Sequence, residues 1–399
     1  MKDKKVVVGV TGGIASYKAA ELVRLLVKAG AHTKVAMTAH ATRFVAPLTF
    51  EALSGNRVVW DMWAPETEPM AHINWGQESD LVIIAPATAD FIGKMAHGVG
   101  DDFLSTVVIA ATADILVCPS MNARMFQSRA VQDNIRVLSD RGCGVMTPGE
   151  GDLACGVEGP GRLPEPEEIL ERARAMVRDR DLIGLRVLVT AGATMEPIDP
   201  VRYMTNRSSG KMGYALARMA AFRGAEVTLV SGPSNLRPPA DVRFLGVKTT
   251  EEMRRAVMEA RPMCHAVIKA AAVLDYRPLR VAAQKIKKED GLLTLDLERT
   301  PDILAELGRT NEDSHCVLVG FAAETEDLLG HAAQKLKKKN LDMIIANDVS
   351  REDAGFDTDT NLVKIIHRNG VIEDLPLMTK EEVADQILNR VKVLWKKRT

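Results

Sequence analysis

Aromatic residues are scarce in this 399-residue chain: four Trp, four Tyr and nine Phe make up 4 % of it. That scarcity argues against an aromatic-rich β-sandwich and favours layered α/β architecture. Cysteine is sparse too. The five, at 118, 143, 155, 264 and 316, are odd in number and lack Cys-x-x-Cys spacing. They encode neither a disulfide framework nor a zinc site, and a reducing compartment is expected. No sign of charge dominates: 52 Lys+Arg against 53 Asp+Glu leave a formal net charge of −1. This balance argues against a nucleic-acid binder that works by phosphate neutralisation. Long apolar runs are missing. The run after Val6 is broken by Gly12-Gly13 and followed by Lys18 and Glu21, unlike a signal peptide. Leu104–Val117 contains Asp114 and is too short to span a bilayer. A cytoplasmic protein with neither membrane nor nucleic acid as partner is expected.

What is present is alternation. Short β-branched runs alternate with helical patterns, the signature of parallel βαβ units. Val6–Val10, Lys34–Met37, Leu81–Ala85 and Ile115–Cys118 read as strands. Ile14–Ala29, Ala41–Leu53, Asp101–Ala111 and Ala123–Asp140 read as helices. A Pro/Glu-rich stretch from Leu163 leads into a charged helix, Ile169–Arg178, and the pattern restarts at Leu185–Thr190. Further strands are expected at Glu226–Val230, Ala266–Ala270, Leu292–Leu297, Val317–Gly320, Met343–Ala346 and Leu362–Ile366. Helices are expected at Gly210–Arg223, Glu251–Ala260, Pro301–Leu307, Glu326–Lys338 and Thr379–Leu394. The chain therefore reads as two domains, 1–183 (with a linker over about 163–183) and 184–399. Each is expected to be a three-layer Rossmann-like or flavodoxin-like α/β unit with a mainly parallel sheet.

In the first half, Val10-Thr-Gly-Gly-Ile-Ala-Ser-Tyr-Lys18 follows a strand and opens a helix. Glycines let backbone approach an anion, and free N–H groups at a helix start bind phosphate. The spacing is not Gly-x-Gly-x-x-Gly, so a mononucleotide such as FMN fits better than a dinucleotide. A purely structural turn would look the same. Ala85-Pro-Ala-Thr-Ala-Asp90 lies at a strand's C-terminal end, where open α/β sheets bind ligands, though a tight connection has the same pattern. His72 stands just before a strand, and Asn122 follows a strand end where Asn also caps helices. Cys155, in Ala154-Cys-Gly156, lies in a glycine-rich segment that reads as a mobile loop, where a thiol is more reactive than in a core. Cys118 and Cys143 read as inert.

In order, Gly12-Gly-Ile-Ala, Met70-Ala-His-Ile, Ala85-Pro-Ala-Thr-Ala-Asp, Pro119-Ser-Met-Asn and Ala154-Cys-Gly resemble the flavin-dependent cysteine decarboxylases. The resemblance covers about 1–163 and is strongest to phosphopantothenoylcysteine decarboxylases; Ser120 replaces the family's usual Ala. It implies FMN held by Gly12, Gly13, Ile14, Ala15, Ser16, Thr38, Ala85, Pro86, Ala87, Thr88 and Ser105. It also implies two stages. Oxidation of the substrate's cysteine end to a thioaldehyde creates the electron sink that loss of CO2 requires. The resulting enethiolate is then reduced, with a proton delivered to carbon. His72 would act near thiol and carboxylate, Asn122 would bind the carboxylate, and Cys155 would supply the proton.

In the second half, Asn206-Arg-Ser-Ser-Gly-Lys211 opens a helix, as either a phosphate cradle or a capped start. No Gly stands where a Walker motif ending at Gly210-Lys211 needs its first one, which excludes a P-loop. Lys285-Ile-Lys-Lys288 is a basic cluster, Lys335 and Lys339 share a helix face, and Thr300-Pro-Asp-Ile-Leu304 reads as an N-capped helix start. With Asp199-Pro-Val-Arg-Tyr, Asp275-Tyr-Arg, Gly320-Phe-Ala-Ala-Glu-Thr and Ala346-Asn-Asp-Val, these segments resemble phosphopantothenate–cysteine ligases over about 185–399. Lys269 and Leu274 stand where small residues are common in that family.

The joined order is that of the bacterial bifunctional enzymes of coenzyme A synthesis. It implies that phosphopantothenate, L-cysteine and CTP give phosphopantothenoylcysteine through an acyl-cytidylate, releasing pyrophosphate and CMP. CTP would meet Asp275, Lys285, Pro301, Asp302, Ile303, Leu304, Phe321, Lys335 and Lys339, with Mg²⁺ near Asp275. Asn206 would hold the acyl-cytidylate, and Lys285 would stabilise charge during activation. The resemblance further implies a homo-oligomer of decarboxylase trimers and ligase dimers, together a dodecamer. The rival readings are a flavin-binding regulatory protein of the same fold without ligase activity, and a flavin-prenylating transferase.

Overall fold

Val6, Val8 and Val10 face one layer and Val7 the other along β1 (Lys5–Val10), because successive side chains alternate across a strand. Apolar residues on both faces mean a strand covered on both sides, and the first part of the chain is built around it. The computed structural model describes residues 1–152, 158–287, 293–311, 315–324, 328–348 and 358–398. They fall into two units, Met1–Arg178 and Asp179–Thr399.

In the first unit β1 is followed by α1 (Ser16–Lys28), β2 (His32–Met37), α2 (Pro47–Ser54), α3 (Ala71–Glu78) and β3 (Leu81–Ala87). Then come α4 (Ala89–His97), α5 (Phe103–Ala110), β4 (Asp114–Pro119), α6 (Ala123–Gln127), α7 (Arg129–Asp140) and β5 (Gly144–Val145). A hairpin, β6 (Gly149–Asp152) with β7 (Glu158–Arg162), and α8 (Pro166–Met176) complete it. The sheet is parallel throughout, in the order β2-β1-β3-β4-β5. Leu22, Leu26 and Ile169 of α1 and α8 pack on the Val6 face. Trp75, Phe91, Phe103 and Leu138 cover the Val7 face, with Trp75 and Phe103 edge to face at 5.2 Å.

Several expectations change here. The helix expected over Ala41–Leu53 is one 3-10 turn, Ala41–Arg43, and then α2, because Pro47 starts a helix and holds Ala46 extended. The helix expected over Ala123–Asp140 is two, divided at an extended Ser128 that caps the second. His72 does not precede a strand but lies in the first turn of α3, and α4 was not foreseen. The glycine-rich segment around Cys155 is flanked by the paired strands β6 and β7; residues 153–157, Cys155 among them, lie outside the described residues.

The second unit contains β8 (Arg186–Ala191), β9 (Met195–Pro197), β10 (Tyr203–Thr205), α9 (Lys211–Phe222), β11 (Glu226–Ser231), β12 (Val242–Gly246), α10 (Thr250–Ala260) and β13 (Ala266–Lys269). There follow β14 (Tyr276–Pro278), β15 (Leu297–Arg299), α11 (Ile303–Arg309), β16 (Val317–Glu324), α12 (Leu328–Lys338) and β17 (Met343–Asp348). The last elements are β18 (Thr360–Asn361), β19 (Val363–His367), β20 (Ile372–Asp374), β21 (Met378–Thr379) and α13 (Lys380–Lys396). The sheet runs β12-β11-β8-β13-β16-β17-β19-β20. It is parallel as far as β17, and its last two strands are antiparallel. Helices α10, α11 and α12 bury Met253, Leu304 and Leu336 against Leu188, Val267 and Leu318, while α9 and α13 cover the opposite face. The strand expected at Leu292–Leu297 is not in this sheet; β15 pairs with β14 in a separate two-stranded ribbon.

The division between units falls after Arg178, five residues before the sequence placed it. The reason is local: Leu182 is buried and donates its N–H to Arg223 O at 2.9 Å, and Asp181 accepts from the Arg223 guanidinium at 2.8 Å and from Lys392 at 2.7 Å. Among the described residues no helix is long and apolar enough to cross a membrane.

Candidate functional site

The parallel order of the first unit changes direction between β1 and β3, and such switch points open a crevice beyond the strands' C-terminal ends. Thr11 ties its two sides together. Its hydroxyl donates to Pro86 O at 2.7 Å and accepts the Thr88 N–H at 3.0 Å. Thr88 in turn caps α4. From the β2 side, Thr38 donates its N–H to Val10 O at 3.0 Å. Gly12, Gly13, Ile14, Ala15, Thr38 and the Ala85-Pro86-Ala87-Thr88 run therefore meet at one place. Ser105 sits in the first turn of α5, its hydroxyl engaged in a capping box with Asp102. Ser16 is fully buried and its hydroxyl donates inward, to Thr11 O and Gly13 O, so it shapes the turn and does not face a ligand. Sequence reasoning passed over Thr11, whose place between strand end and Gly-Gly was the available signal.

A Cβ on Gly12 would stand 2.4 Å from His40 Cβ, whereas one on Gly13 would meet nothing nearer than Thr88 Cγ2 at 3.6 Å. Gly12 is thus required by packing. Gly13 presents bare backbone beside an exposed Ile14 at the start of a 13-residue helix, a form that suits the phosphate or ring edge of a mononucleotide.

Asn122 follows β4, and its Oδ1 accepts the Arg124 N–H at 2.8 Å to cap α6. Its neighbour Met121 donates its N–H to Gly161 O on β7 at 3.0 Å, and Ser120 donates to Ala87 O at 3.0 Å. The hairpin flanking Cys155 is thereby fastened beside Asn122 and the β3 exit. His72 is partly buried on α3. Burial pushes the Cys118 thiol far up and raises Cys143 as well, which makes both poor thiolates.

In the second unit the first six strands take the order 3-2-1-4-5-6, so the switch point lies between β8 and β13. A cavity of ≈ 410 Å³ opens there. Asn206, Ser208, Ser209, Gly210, Asp275, Pro301, Asp302, Ile303, Leu304, Phe321, Lys335 and Lys339 all line it. Gly210 has φ +82°, a left-handed turn that lets the chain enter α9. Asp302, not Thr300, is the N-cap of α11 and accepts the Ala305 N–H at 3.0 Å. Lys339 bonds the same carboxylate at 2.8 Å. Burial works against ionisation of Asp302, but these donors outweigh it and its pKa is lowered. Lys335 donates to Phe321 O at 3.3 Å. The cavity also has residues the sequence did not single out for it: Lys211, Lys269, Asn347, Asn361 and Lys380. The side-chain oxygens of Asn347 and Asn361 are buried and have no hydrogen-bond partner among the described residues.

Lys285 is not part of the cavity wall; it is exposed. The chain beside it is nevertheless pinned. Buried Asp199 accepts the N–H groups of Val201 (2.8 Å), Arg202 (2.8 Å) and Ile286 (3.1 Å), and Arg202 donates to Ile286 O at 2.5 Å. Burial alone would raise the Asp199 carboxyl; the surrounding donors outweigh it and bring it to about 2. Among the described residues no group of three His, Cys, Asp or Glu side chains is placed to hold a metal ion.

A flavoprotein family model matches residues 1–178, and that of the DNA/pantothenate metabolism flavoprotein C-terminal domain matches 182–394. The coenzyme A biosynthesis bifunctional protein CoaBC of Bacillus subtilis is 47 % identical over 401 residues, covering 99 % of this chain and 98 % of its own. That of Escherichia coli is 44 % identical over 396 residues, covering 98 % and 97 %. A crystal structure of the C-terminal domain of a CoaBC protein is 43 % identical, covers 55 % of this chain and 100 % of its own, and superposes with a TM-score of 0.48. With relatives this similar along its whole length, the chain belongs to the family of coenzyme A biosynthesis bifunctional proteins.

Proposed function

We propose that the chain carries out two consecutive reactions of coenzyme A biosynthesis. Its second unit joins phosphopantothenate to L-cysteine at the expense of CTP, and its first decarboxylates the phosphopantothenoylcysteine so formed to phosphopantetheine. The observation that carries this reading is the two-way, nearly complete coverage with bifunctional relatives.

In the first unit, FMN supplies two-electron redox chemistry when bound, and the bare Gly13 backbone with the Thr88 and Thr38 turns fits its phosphate and ring edge. Asn122 orients the substrate carboxylate; its Oδ1 is committed to the cap of α6, so the amide N–H side is the carboxylate partner. His72 acts on the thiol end, and Cys155, which lies between β6 and β7 in sequence and outside the described residues, delivers the proton to carbon.

In the second unit, Lys335 and Lys339 bind the phosphates of CTP, with Asp302–Leu304 forming the wall behind them. The carboxylate of phosphopantothenate attacks the α-phosphorus and pyrophosphate leaves. Lys285, on the segment pinned by Asp199, offsets the charge that develops. Asn206 holds the acyl-cytidylate while the cysteine amine attacks its carbonyl and expels CMP. Asp275, in the cavity wall, would help to hold Mg²⁺, which would offset charge on the phosphates of CTP. Trp63 and Leu48 of the first unit, 86 and 70 % exposed, suit contacts between copies in the decarboxylase trimers of a homo-oligomer.

Incubation with phosphopantothenate, L-cysteine and CTP tests the reading: phosphopantetheine, CO2, CMP and pyrophosphate should appear together. CTP left intact, or supplied phosphopantothenoylcysteine left unconverted by protein incubated with FMN, overturns it. A monomeric mass in light scattering rejects the oligomer.

A further inference from the structure

Lys269 is the last residue of β13, in register with Thr190 of β8 on one side and Gly320 of β16 on the other. Two residues earlier, Val267 lies in the core that α11 and α12 cover. Side chains two apart on a strand share a face, so Lys269 leaves the top of that core on the side of α11 and α12. It lines the cavity with Lys335 and Lys339.

The ammonium of Lys269 has no hydrogen bond or ion pair with any described residue. Its neighbours are differently placed: Lys339 is paired with Asp302 and Lys335 with the Phe321 carbonyl. Asp302 is already occupied by Lys339 and by the Ala305 N–H, so it offers Lys269 little. A partly buried cation with three unused donors beside two further cations is costly, and an apolar residue would complete the core without that cost. The arrangement makes sense if an anion completes it.

We propose that Lys269 is a nucleotide-binding residue, closing with Lys335 and Lys339 a three-lysine cradle for the phosphate chain of the triphosphate substrate. The proposal rests on the assignment of this cavity to the ligase reaction. Lysine binds phosphate as a compact point charge, and three converging ammonium groups match a chain of several phosphates better than a single carboxylate. Removal from water and the like charges of Lys339 and Lys335 bring its pKa to about 8, so it remains mostly charged at neutral pH. A bound polyanion reverses that unfavourable environment.

Calorimetric titration of the full-length protein with CTP, inorganic tripolyphosphate and cytidine separates the possibilities. Lys269→Met should weaken CTP and tripolyphosphate by about 10- to 100-fold, the weight of one charged hydrogen bond, and leave cytidine unchanged. Lys269→Arg, which keeps the charge, should recover most of the loss, and the thermal midpoint of unliganded Lys269→Met should be equal or higher. Lys269→Gln serves the same comparison should the Met variant not fold. Unaltered tripolyphosphate binding in the Met or Gln variant overturns the proposal, as does a loss confined to cytidine. Wild-type protein that binds neither CTP nor tripolyphosphate overturns the assignment of the cavity itself and the proposal with it.

Discussion

Two adjacent glycines should behave in opposite ways when each is given one methyl group. In Gly12→Ala the new Cβ would lie 2.4 Å from His40 Cβ and 3.0 Å from its carbonyl carbon. Unstrained carbon contacts lie near 3.5–4.0 Å, so the turn and the β2 exit must separate by about 1 Å. The exit cannot simply swing away, because Thr38 is bonded to Val10 O and Ala41 to Thr38 O. Overpacking of this kind costs about 1–3 kcal/mol, against roughly 0.4–1 kcal/mol gained by restricting the unfolded chain. For a unit of this size the net, roughly 0–2.6 kcal/mol, corresponds to a drop of up to about 10 °C in thermal midpoint. Gly13 has room, with its nearest contact at 3.6 Å and a backbone conformation open to alanine. Gly13→Ala should therefore keep or slightly raise the midpoint of flavin-free protein. It should still lose FMN affinity, by about tenfold or more, because the methyl occupies the surface where backbone meets ligand. Scanning calorimetry of flavin-free protein and quenching of flavin fluorescence on titration read the two effects separately. A Gly13→Ala midpoint as low as that of Gly12→Ala would refute the steric argument. Unchanged FMN affinity in Gly13→Ala would show that the turn faces something else.

Other outcomes follow from the second unit. A Cβ on Gly213 would sit 2.5 Å from Ala191 Cβ and 2.9 Å from Thr190 O, so Gly213→Ala should lift α9 off the sheet. It should cost about 1–3 kcal/mol and weaken CTP binding in the same titration; an unchanged midpoint and affinity would contradict this. Asp199 titrates near 2 in the fold, below its unfolded value of about 3.9, so its contribution is complete above about pH 4 and vanishes as pH falls through 2. Acid-unfolding curves of wild type and Asp199→Asn should separate above pH ~4 and converge towards pH ~2; curves that stay parallel would count against the clamp. Lys285→Gln should suppress pyrophosphate release, whereas Asn206→Asp, which sets a carboxylate beside an anionic intermediate, should let acyl-cytidylate accumulate. Rapid-quench mass spectrometry would expose a reversed assignment. Cys155→Ser should still release CO2 yet stall before phosphopantetheine, and normal product output would remove the proton-donor role.

The central strands were legible because buried parallel strands are written as runs of Val, Ile and Leu, as at Val6–Val10 and Leu81–Ala85. Elements with weak patterns were not. The eight residues of α3 include Gly, Asn and Gln and start from a left-handed Met70, so no apolar stripe marks them. Edge strand β12 is mostly exposed and lacks the apolar run that betrays a central strand. At the sites, the Gly-Gly turn and the residues at strand ends could be read, because a switch point gathers consecutive loop motifs. Depth and partners could not. Nothing in the sequence says that Ser16 turns inward, that Lys285 stands outside the cavity wall, or that Lys269 reaches into it unpaired. Those are properties of which face a strand presents and which loop lies beside it.

The Asp181–Arg223–Lys392 cluster has a consequence for how two such activities could be carried by separate genes. The Arg223 side chain is only 7 % exposed and takes its best partner from Asp181, which precedes the first strand of the ligase sheet. Were the message divided so that the second product began at Gly184, that guanidinium would keep, among the described residues, the Asp385 carbonyl at 3.3 Å and the more distant Asp385 carboxylate at 3.7 Å. A buried cation deprived of its partner costs about 3 kcal/mol, and the place of Leu182 would be left empty as well. Division after Arg178 avoids both losses. A lineage that split the fused gene would therefore be expected to leave these few linker residues with the ligase, although by sequence pattern they look like spacer.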